Sequence, residues 1–285
     1  MKKAFLTLSA LLFLLGCILV YQNINYNDKK LHVVICNVGQ GDAIFIRTPG
    51  GSDILIDGGP DDSVLACLGR HMPFWDKTLE VMILTHPHAD HLTGLIDVAK
   101  KYAVLVFGAE KNANPSSTYK EFIKQLDKNH TQQRFLYQDD KFTVKDGISL
   151  KTLWPTQEWV DQNSAGGSSS ENGLSVIELL SYKNFEALFT GDAQASDIEK
   201  IESMLGVIDF LKVPHHGSKS ALTEEVLNIL NPKIAAISVG AKNKYGHPTA
   251  FLLSLLKDKN IKTLRTDQVG DIEIISDGRS FLTKN

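Results

Sequence analysis

The chain has 285 residues and a mass of 31.5 kDa, with 43% hydrophobic and 22% charged residues. Such a composition supports a real core and excludes a disordered, collagen-like or many-span membrane chain. Three cysteines are too few for a disulfide framework, and a formal charge of −3 gives no overall basic signature for nucleic acid.

Lys2 and Lys3 open the chain, and residues 4–21 follow without a charge. That length is near the lower limit for a helix crossing a bilayer at about 1.5 Å per residue. The segment reads as a signal anchor, an export signal or a lipoprotein leader. Leu14-Leu15-Gly16-Cys17 loosely resembles a lipobox, but Ile18, Leu19 and Val20 continue the apolar run, which suits an uncleaved anchor better. Lysines flank both ends of the segment. The terminal amine, Lys2 and Lys3 favour an N-terminus inside and a domain outside the cytoplasm, anchored through residues 4–21 or secreted. The expected division is therefore 1–30 as anchor or export signal plus linker, and 31–285 as one domain. Setting aside the four lysines and one aspartate of the first thirty residues, that domain carries a net charge of −6. Cys36 falls in a strand pattern and Cys67 in a helix pattern. Both read as small core residues, with an extracellular bridge between them as the alternative.

Short strand patterns at Leu31–Cys36, Ala43–Thr48 and Asp53–Asp57, separated by glycine turns, read as a meander. Asp61 is placed to cap a helix through Arg70. Glu80–Thr85 reads as a buried strand, then a polar burst leads into a helix over His91–Lys101. Ala103–Phe107 is strand-like, and Thr118–Asn129 is an amphipathic helix with Phe122, Ile123 and Leu126 on one face. Strands follow at Phe142–Val144 and Ile148–Leu153, then a Ser/Gly/Asn-rich loop at Gln162–Gly173. Leu174–Leu180 and Phe185–Thr190 read as a hairpin. Helix and strand then alternate over Ala195–Met204, Ile208–Val213, Ala221–Leu230 and Ile234–Val239. A helix at Thr249–Asp258 and strands near Ile261–Arg265 and Val269–Ile275 follow. Neither a repeat nor a linker divides this body. The pattern suggests an α/β fold of two sheets with helices outside.

The polar burst is Thr85-His86-Pro87-His88-Ala89-Asp90-His91. Alternate residues of an extended segment point the same way, so His86 and His88 can grip one metal. Asp90 and His91 fall at the turn into a helix and point towards a second. Imidazole and carboxylate ligands suit zinc, with manganese or iron as alternatives. Other candidates also follow apolar strands: Thr190-Gly191-Asp192, Pro214-His215-His216-Gly217-Ser218 and Gly246-His247-Pro248. Strand ends along one sheet edge converge on a cleft. His32, His71 and His130 lack that context and read as structural or surface residues.

The set His86-x-His88-x-Asp90-His91 followed by Asp192 resembles the metallo-β-lactamase superfamily. The fuller set is Asn37-Val-Gly-Gln-Gly-Asp42, Leu55-Ile-Asp-Gly-Gly59, Phe189-Thr-Gly-Asp192, Leu211-Lys-Val-Pro-His-His-Gly-Ser218 and Gly246-His-Pro248. It resembles the C-terminal hydrolase domain of the ComEC DNA-uptake, or competence, family over residues 31–281. The resemblance implies a metallo-β-lactamase-like αββα sandwich, a metal-dependent hydrolase activity and metals at one edge of the sheets. It implies metal ligands His86, His88, Asp90, His91, Asp192 and His215, and catalytic roles for Asp90, His216 and His247. Asp57 and Asp42 would support the ligands from behind. The choice among His215, His216 and His247 stays open. Two departures stand out. The ComEC family carries its hydrolase beside a multi-span channel, and here there is one apolar segment. Many superfamily members also place a ligand histidine about twenty residues before the bridging aspartate, where this chain reads Glu171-Asn-Gly-Leu-Ser175.

The implied cofactor is a pair of divalent ions, zinc or manganese, ionising a shared water to hydroxide. Ser218 lacks a strained elbow motif and is not expected to be a nucleophile. A phosphodiester or DNA substrate suits two metals. The net charge of −6 argues against a broad DNA groove, whereas Lys212, Lys219, Lys242 and Lys244 gather near the motifs. Their alternative reading is ordinary solvated loop lysines. Phe74, Trp75, Trp154 and Trp159 offer base stacking, although core or lid packing is the preferred reading. Other envelope-side substrates remain alternatives, namely a choline-phosphate ester, a lactone or a β-lactam, as does a metal-binding module without turnover.

Overall fold

The computed structural model describes residues 2–111, 116–144, 146–163 and 172–284. Helix α1 (Lys2–Tyr26) leaves its apolar side chains exposed and touches the domain at its C-terminal end, through Gln22 and Tyr26. It is long and apolar enough to cross a membrane by length and composition.

Among the described residues the domain's strands form two sheets. The first has the order β15-β14-β1-β2-β3-β4-β5-β6. Its strands are β1 (Leu31–Ile35), β2 (Ile44–Arg47), β3 (Asp53–Ile56), β4 (Thr78–Leu84), β5 (Ala103–Ala109), β6 (Gln132–Phe135), β14 (Ile272–Ser276) and β15 (Phe281–Lys284). The second has the order β13-β12-β11-β10-β9-β8-β7. It comprises β7 (Lys141–Thr143), β8 (Ser149–Trp154), β9 (Ile177–Tyr182), β10 (Phe185–Phe189), β11 (Phe210–Lys212), β12 (Ile234–Ile237) and β13 (Lys262–Arg265). β3 to β6 are parallel, and so are β10 to β13; the remaining pairs are antiparallel.

Side-chain alternation along the strands sorts the core into layers. Val33, Ile35, Ile54, Ile56 and Ile83 meet Leu180, Phe189, Phe210 and Ala236 between the sheets. Their neighbours Val34, Cys36, Leu55 and Met82 face outward onto helices α2 (Ser63–His71) and α3 (Ala89–Lys101). On the other side, Leu188, Leu211, Ala235 and Ile237 face the helices Glu224–Leu230 and Ala250–Asp258. The layering is αββα, as the sequence resemblance implied. Cys36 and Cys67 are both buried and are joined in a disulfide between the end of β1 and α2. The bridge, the alternative to free core thiols, is the observed state.

The expected meander, the hairpin and most of the alternating elements are present within a few residues. Three differences stand out, the first with a local cause. Glu224–Leu230 starts three residues later than expected because the Thr223 side chain accepts a hydrogen bond from the Val226 N–H and caps it there. The helix expected over Ala195–Met204 ends at Glu199, with a separate 3₁₀ turn at Glu202–Met204. The loop expected at Gln162–Gly173 is partly helical at its start, Gln157–Asn163; residues 164–171, Glu171 included, lie outside the described residues.

Candidate metal centre

The carboxyl ends of parallel strands lie along one edge, where α/β sheets commonly bind ligands. β4 delivers His86, His88, Asp90 and His91; β3 delivers Asp57; β10 delivers Asp192; β11 delivers His215 and His216. Two glycines let these segments meet. Gly191 holds φ +50°, and a Cβ there would lie 2.8 Å from the Thr85 side chain. A Cβ on Gly41 would run into the Asp90 carbonyl.

Three imidazoles turn the same nitrogen towards one space. Thr85 Oγ1 donates to Asp57 Oδ2 at 2.7 Å, so it accepts from His86 Nδ1 at 3.1 Å. His91 Nδ1 donates to Asp57 Oδ2 at 2.8 Å. His216 Nδ1 donates to the Ser238 carbonyl at 3.0 Å. In each ring Nδ1 is occupied by the protein, and buried Nε2 has no hydrogen-bond partner. Asp192 lies among them. Its Oδ1 is 3.3 Å from His91 Nε2 and 3.6 Å from His216 Nε2, and its Oδ2 is 3.7 Å from both His86 Nε2 and His215 Nε2. Asp90 Oδ2 is 3.4 Å from His216 Nε2.

Two ligand triads follow from these positions. His86, His88 and Asp192 offer atoms within 4.8 Å of one another, and so do Asp90, His91 and His216. Orphaned imidazole nitrogens around an orphaned buried carboxylate oxygen fit a cation-binding centre, because desolvated polar groups left unpaired are costly. His215 is not in either triad. It is half-buried at the mouth, its ring 5.7 Å from that of His247, and Tyr245 stacks on His247. The sequence reading gave His215 the ligand role and His216 the catalytic one. The buried position among Asp90, His91 and Asp192 belongs to His216.

The electrostatics show a site built for positive charge. Burial opposes protonation of His91 and His216. Asp192 and Asp57 nevertheless hold His91 well above the usual histidine range, and Asp192, Asp42 and Asp90 push His216 up to about 9. Burial opposes ionisation of Asp192 and Asp90 too. The neighbouring imidazoles overcome it, taking Asp192 well below the carboxylate range and Asp90 down to about 2. Burial, with His91 next, drives His86 well below the usual histidine range. Cation binding would displace the protons on Nε2 of His91 and His216.

Behind the site, Asp42 accepts from Lys212 Nζ at 2.6 Å, and both side chains are buried. Its other oxygen is 3.4 Å from His216 Nδ1. Lys212 is therefore not one of the phosphate-facing lysines considered from the sequence; the Asp42 carboxylate holds it in the core. Lys219, Lys242 and Lys244 are exposed. Trp154 is buried and donates to the Gly173 carbonyl, which is packing rather than a stacking platform. Phe74 and Trp75 precede β4, at the end of the sheet away from the histidines. Sequence reasoning missed Thr85, Ser175 and Ser238. Ser175 Oγ accepts from the Asp192 backbone N–H at 3.3 Å, and Ser238 Oγ donates to the Gly41 carbonyl at 2.6 Å. Thr85 stood next to the motif; the serines gave no local signal.

A family model described as the beta-lactamase superfamily domain matches residues 52–224, more than half of the chain. ComE operon protein 3 of Bacillus subtilis (strain 168) is 27% identical over 286 residues, covering 94% of this chain and 34% of the relative. Recombination protein 2 of Haemophilus influenzae is 29% identical over 217 residues, covering 74% of this chain and 24% of the relative. The chain thus spans about a third or less of the curated relatives it matches. Among solved structures, the metallo-beta-lactamase fold protein YhfI from Bacillus subtilis superimposes with a TM-score of 0.57 at 11% identity, covering 87% of this chain and all of that one. The chain belongs to the metallo-β-lactamase superfamily, and within it is related to the competence ComEC proteins.

Proposed function

We propose that the chain is a metal-dependent phosphodiesterase, acting on DNA or a related phosphodiester and held to a membrane by α1. One observation carries the metal reading: His86, His91 and His216 turn unpartnered Nε2 atoms towards Asp192 in a buried cleft. His86, His88 and Asp192 would hold one divalent ion, zinc or manganese, and Asp90, His91 and His216 a second, with Asp192 within reach of both. Such ions supply Lewis acidity and a nucleophile from water at neutral pH.

The chain's own residues do the remaining work. Asp57 and the Ser238 carbonyl fix the tautomers of His91 and His216. The ion-paired Asp42 and Lys212 back His216 without bringing net charge. His215 and His247 stand at the open side, where an N–H can hydrogen-bond a departing oxygen. The phosphodiester reading is supported by similarity to a recombination protein and a competence-operon protein, and by how well paired cations clamp both oxygens of such a substrate. Membrane attachment with the domain outside the cytoplasm is supported by α1 and by a buried disulfide, a bond rare in reducing compartments.

The test offers the purified chain, loaded with zinc or manganese, single-stranded DNA, bis-p-nitrophenyl phosphate, p-nitrophenyl phosphorylcholine and nitrocefin. Cleavage of the first two is expected. Replacing His88→Ala should remove bound metal and lower turnover by at least about 100-fold. Activity on nitrocefin or the choline ester alone, or full turnover in the variant, overturns the reading.

A further inference from the structure

The helix and the domain meet at one corner that the catalytic reading leaves unused. Three contacts fix it: Tyr26 Oη donates to the Arg70 carbonyl at 2.8 Å, Arg47 Nε donates to the Tyr26 carbonyl at 3.2 Å, and the Phe74 N–H donates to Gln22 Oε1 at 3.3 Å. Phe74 and Trp75 sit there with 52% and 47% of their surface exposed, their rings edge to face at 5.0 Å. Leu105, Phe135, Val207, Tyr245, Phe251 and Leu282 are exposed too, but these two aromatics adjoin one another beside the helix, and such a pair calls for a partner.

The helix identifies that partner. Its exposed apolar surface runs through Val20 and Tyr21 to Ile24, and Gln22, within that last turn, is the residue that holds Phe74. The aromatic pair therefore lies level with the end of the apolar stretch, where tryptophan and tyrosine are enriched at the boundary of lipid and water. Charge agrees with this. Asp28 is paired with His32, and Asp76 shares Arg47 with the more closely paired Asp53, whereas Lys29, Lys30 and Lys77 are exposed, as anionic headgroups require.

We propose that Phe74 and Trp75 form a second membrane contact, seated at the lipid–water boundary beside α1, with the metal centre at the opposite pole. This rests on the membrane reading of α1. Trp75 precedes β4 and His86 follows it, and seven residues at about 3.3 Å each put those ends roughly 20 Å apart. The cleft then opens away from the bilayer, to a substrate arriving from solvent.

The experiment reconstitutes the full chain into vesicles of phosphatidylethanolamine and phosphatidylglycerol, with and without a phosphatidylcholine brominated on its acyl chains. The chain has three tryptophans, at 75, 154 and 159. Flotation reports the anchor, and bromine quenching of emission reports tryptophan depth. Vesicle-bound chain should lose emission to the brominated lipid, and Trp75→Phe should abolish that loss while still floating. Flotation without quenching, or quenching that survives in the variant, overturns the proposal and leaves the anchor standing. A chain that does not float overturns both.

Discussion

His215 and His216 hold φ values of 46° and 52°, a region that residues with a Cβ occupy at about 1–2 kcal/mol each. Asp57, behind His91, has φ 59°. Lys29, His130, Asp139, Lys183, Asn231 and Asn260 share this conformation away from the site, but strain persists only where the surroundings fix it, and at these three residues the candidate site does so. Two substitutions separate the imidazole from the backbone. His215→Gly and His215→Ala both delete the ring, but only glycine adopts this φ freely. Denaturant unfolding should find the glycine variant more stable than the alanine variant by about 1 kcal/mol; equal midpoints would mean that the backbone is unstrained. A second residue sets a pH dependence. Burial raises the Glu178 carboxyl from 4.5 to about 8, although Thr152 Oγ1 donates to it at 2.6 Å. Between those values the folded state keeps a proton that the unfolded state has released, so stability falls as pH rises through that window. Asp53, raised to about 8 chiefly by burial, acts in the same direction. Glu178→Gln should flatten part of the decline, measured as the unfolding midpoint from pH 5 to 8. At this scale the histidine cluster was legible because its members share one short segment. The Asp42–Lys212 pair was not, since 170 residues separate two ordinary charges that only the fold brings together.

Most elements with a strong apolar period were read from sequence to within a few residues, and polar ones were missed. β6 runs Gln132-Gln133-Arg134-Phe135, mostly exposed, and exists because β5 offers it a parallel edge. β15, exposed at alternate positions, is likewise held by β14. Edge strands of this kind take their stability from a neighbour rather than from their own sequence. The disulfide is a cross-element feature of another kind. It ties β1 to α2 across a sequence separation of 31 residues, which in a chain-entropy account stabilises the fold by about 3.7 kcal/mol. Replacing both Cys36 and Cys67 with alanine should lower the unfolding free energy by about that amount. An unchanged denaturant midpoint, with or without reductant, would show that the bond contributes nothing to the folded state.

On the scale of the whole molecule, the strand order joins the ends of the domain: β1 pairs with β14, Leu31 opposite Ser276. Periodicity in the sequence could suggest two sheets, but the partner of each strand came only with the fold or with a family resemblance. The same closure brings the two layers into register at the cleft. His86, His88, Asp90 and His91 hang from one sheet, while Asp192, His215 and His216 hang from the other. Neither layer owns a complete grip on a cation. A slide of one sheet over the other by a single ångström would leave most of the greasy interior intact yet pull the carboxylate off its imidazoles. Alignment of the layers is thus read out first as chemistry, and an ion lodged in the seam would act as a rivet between them.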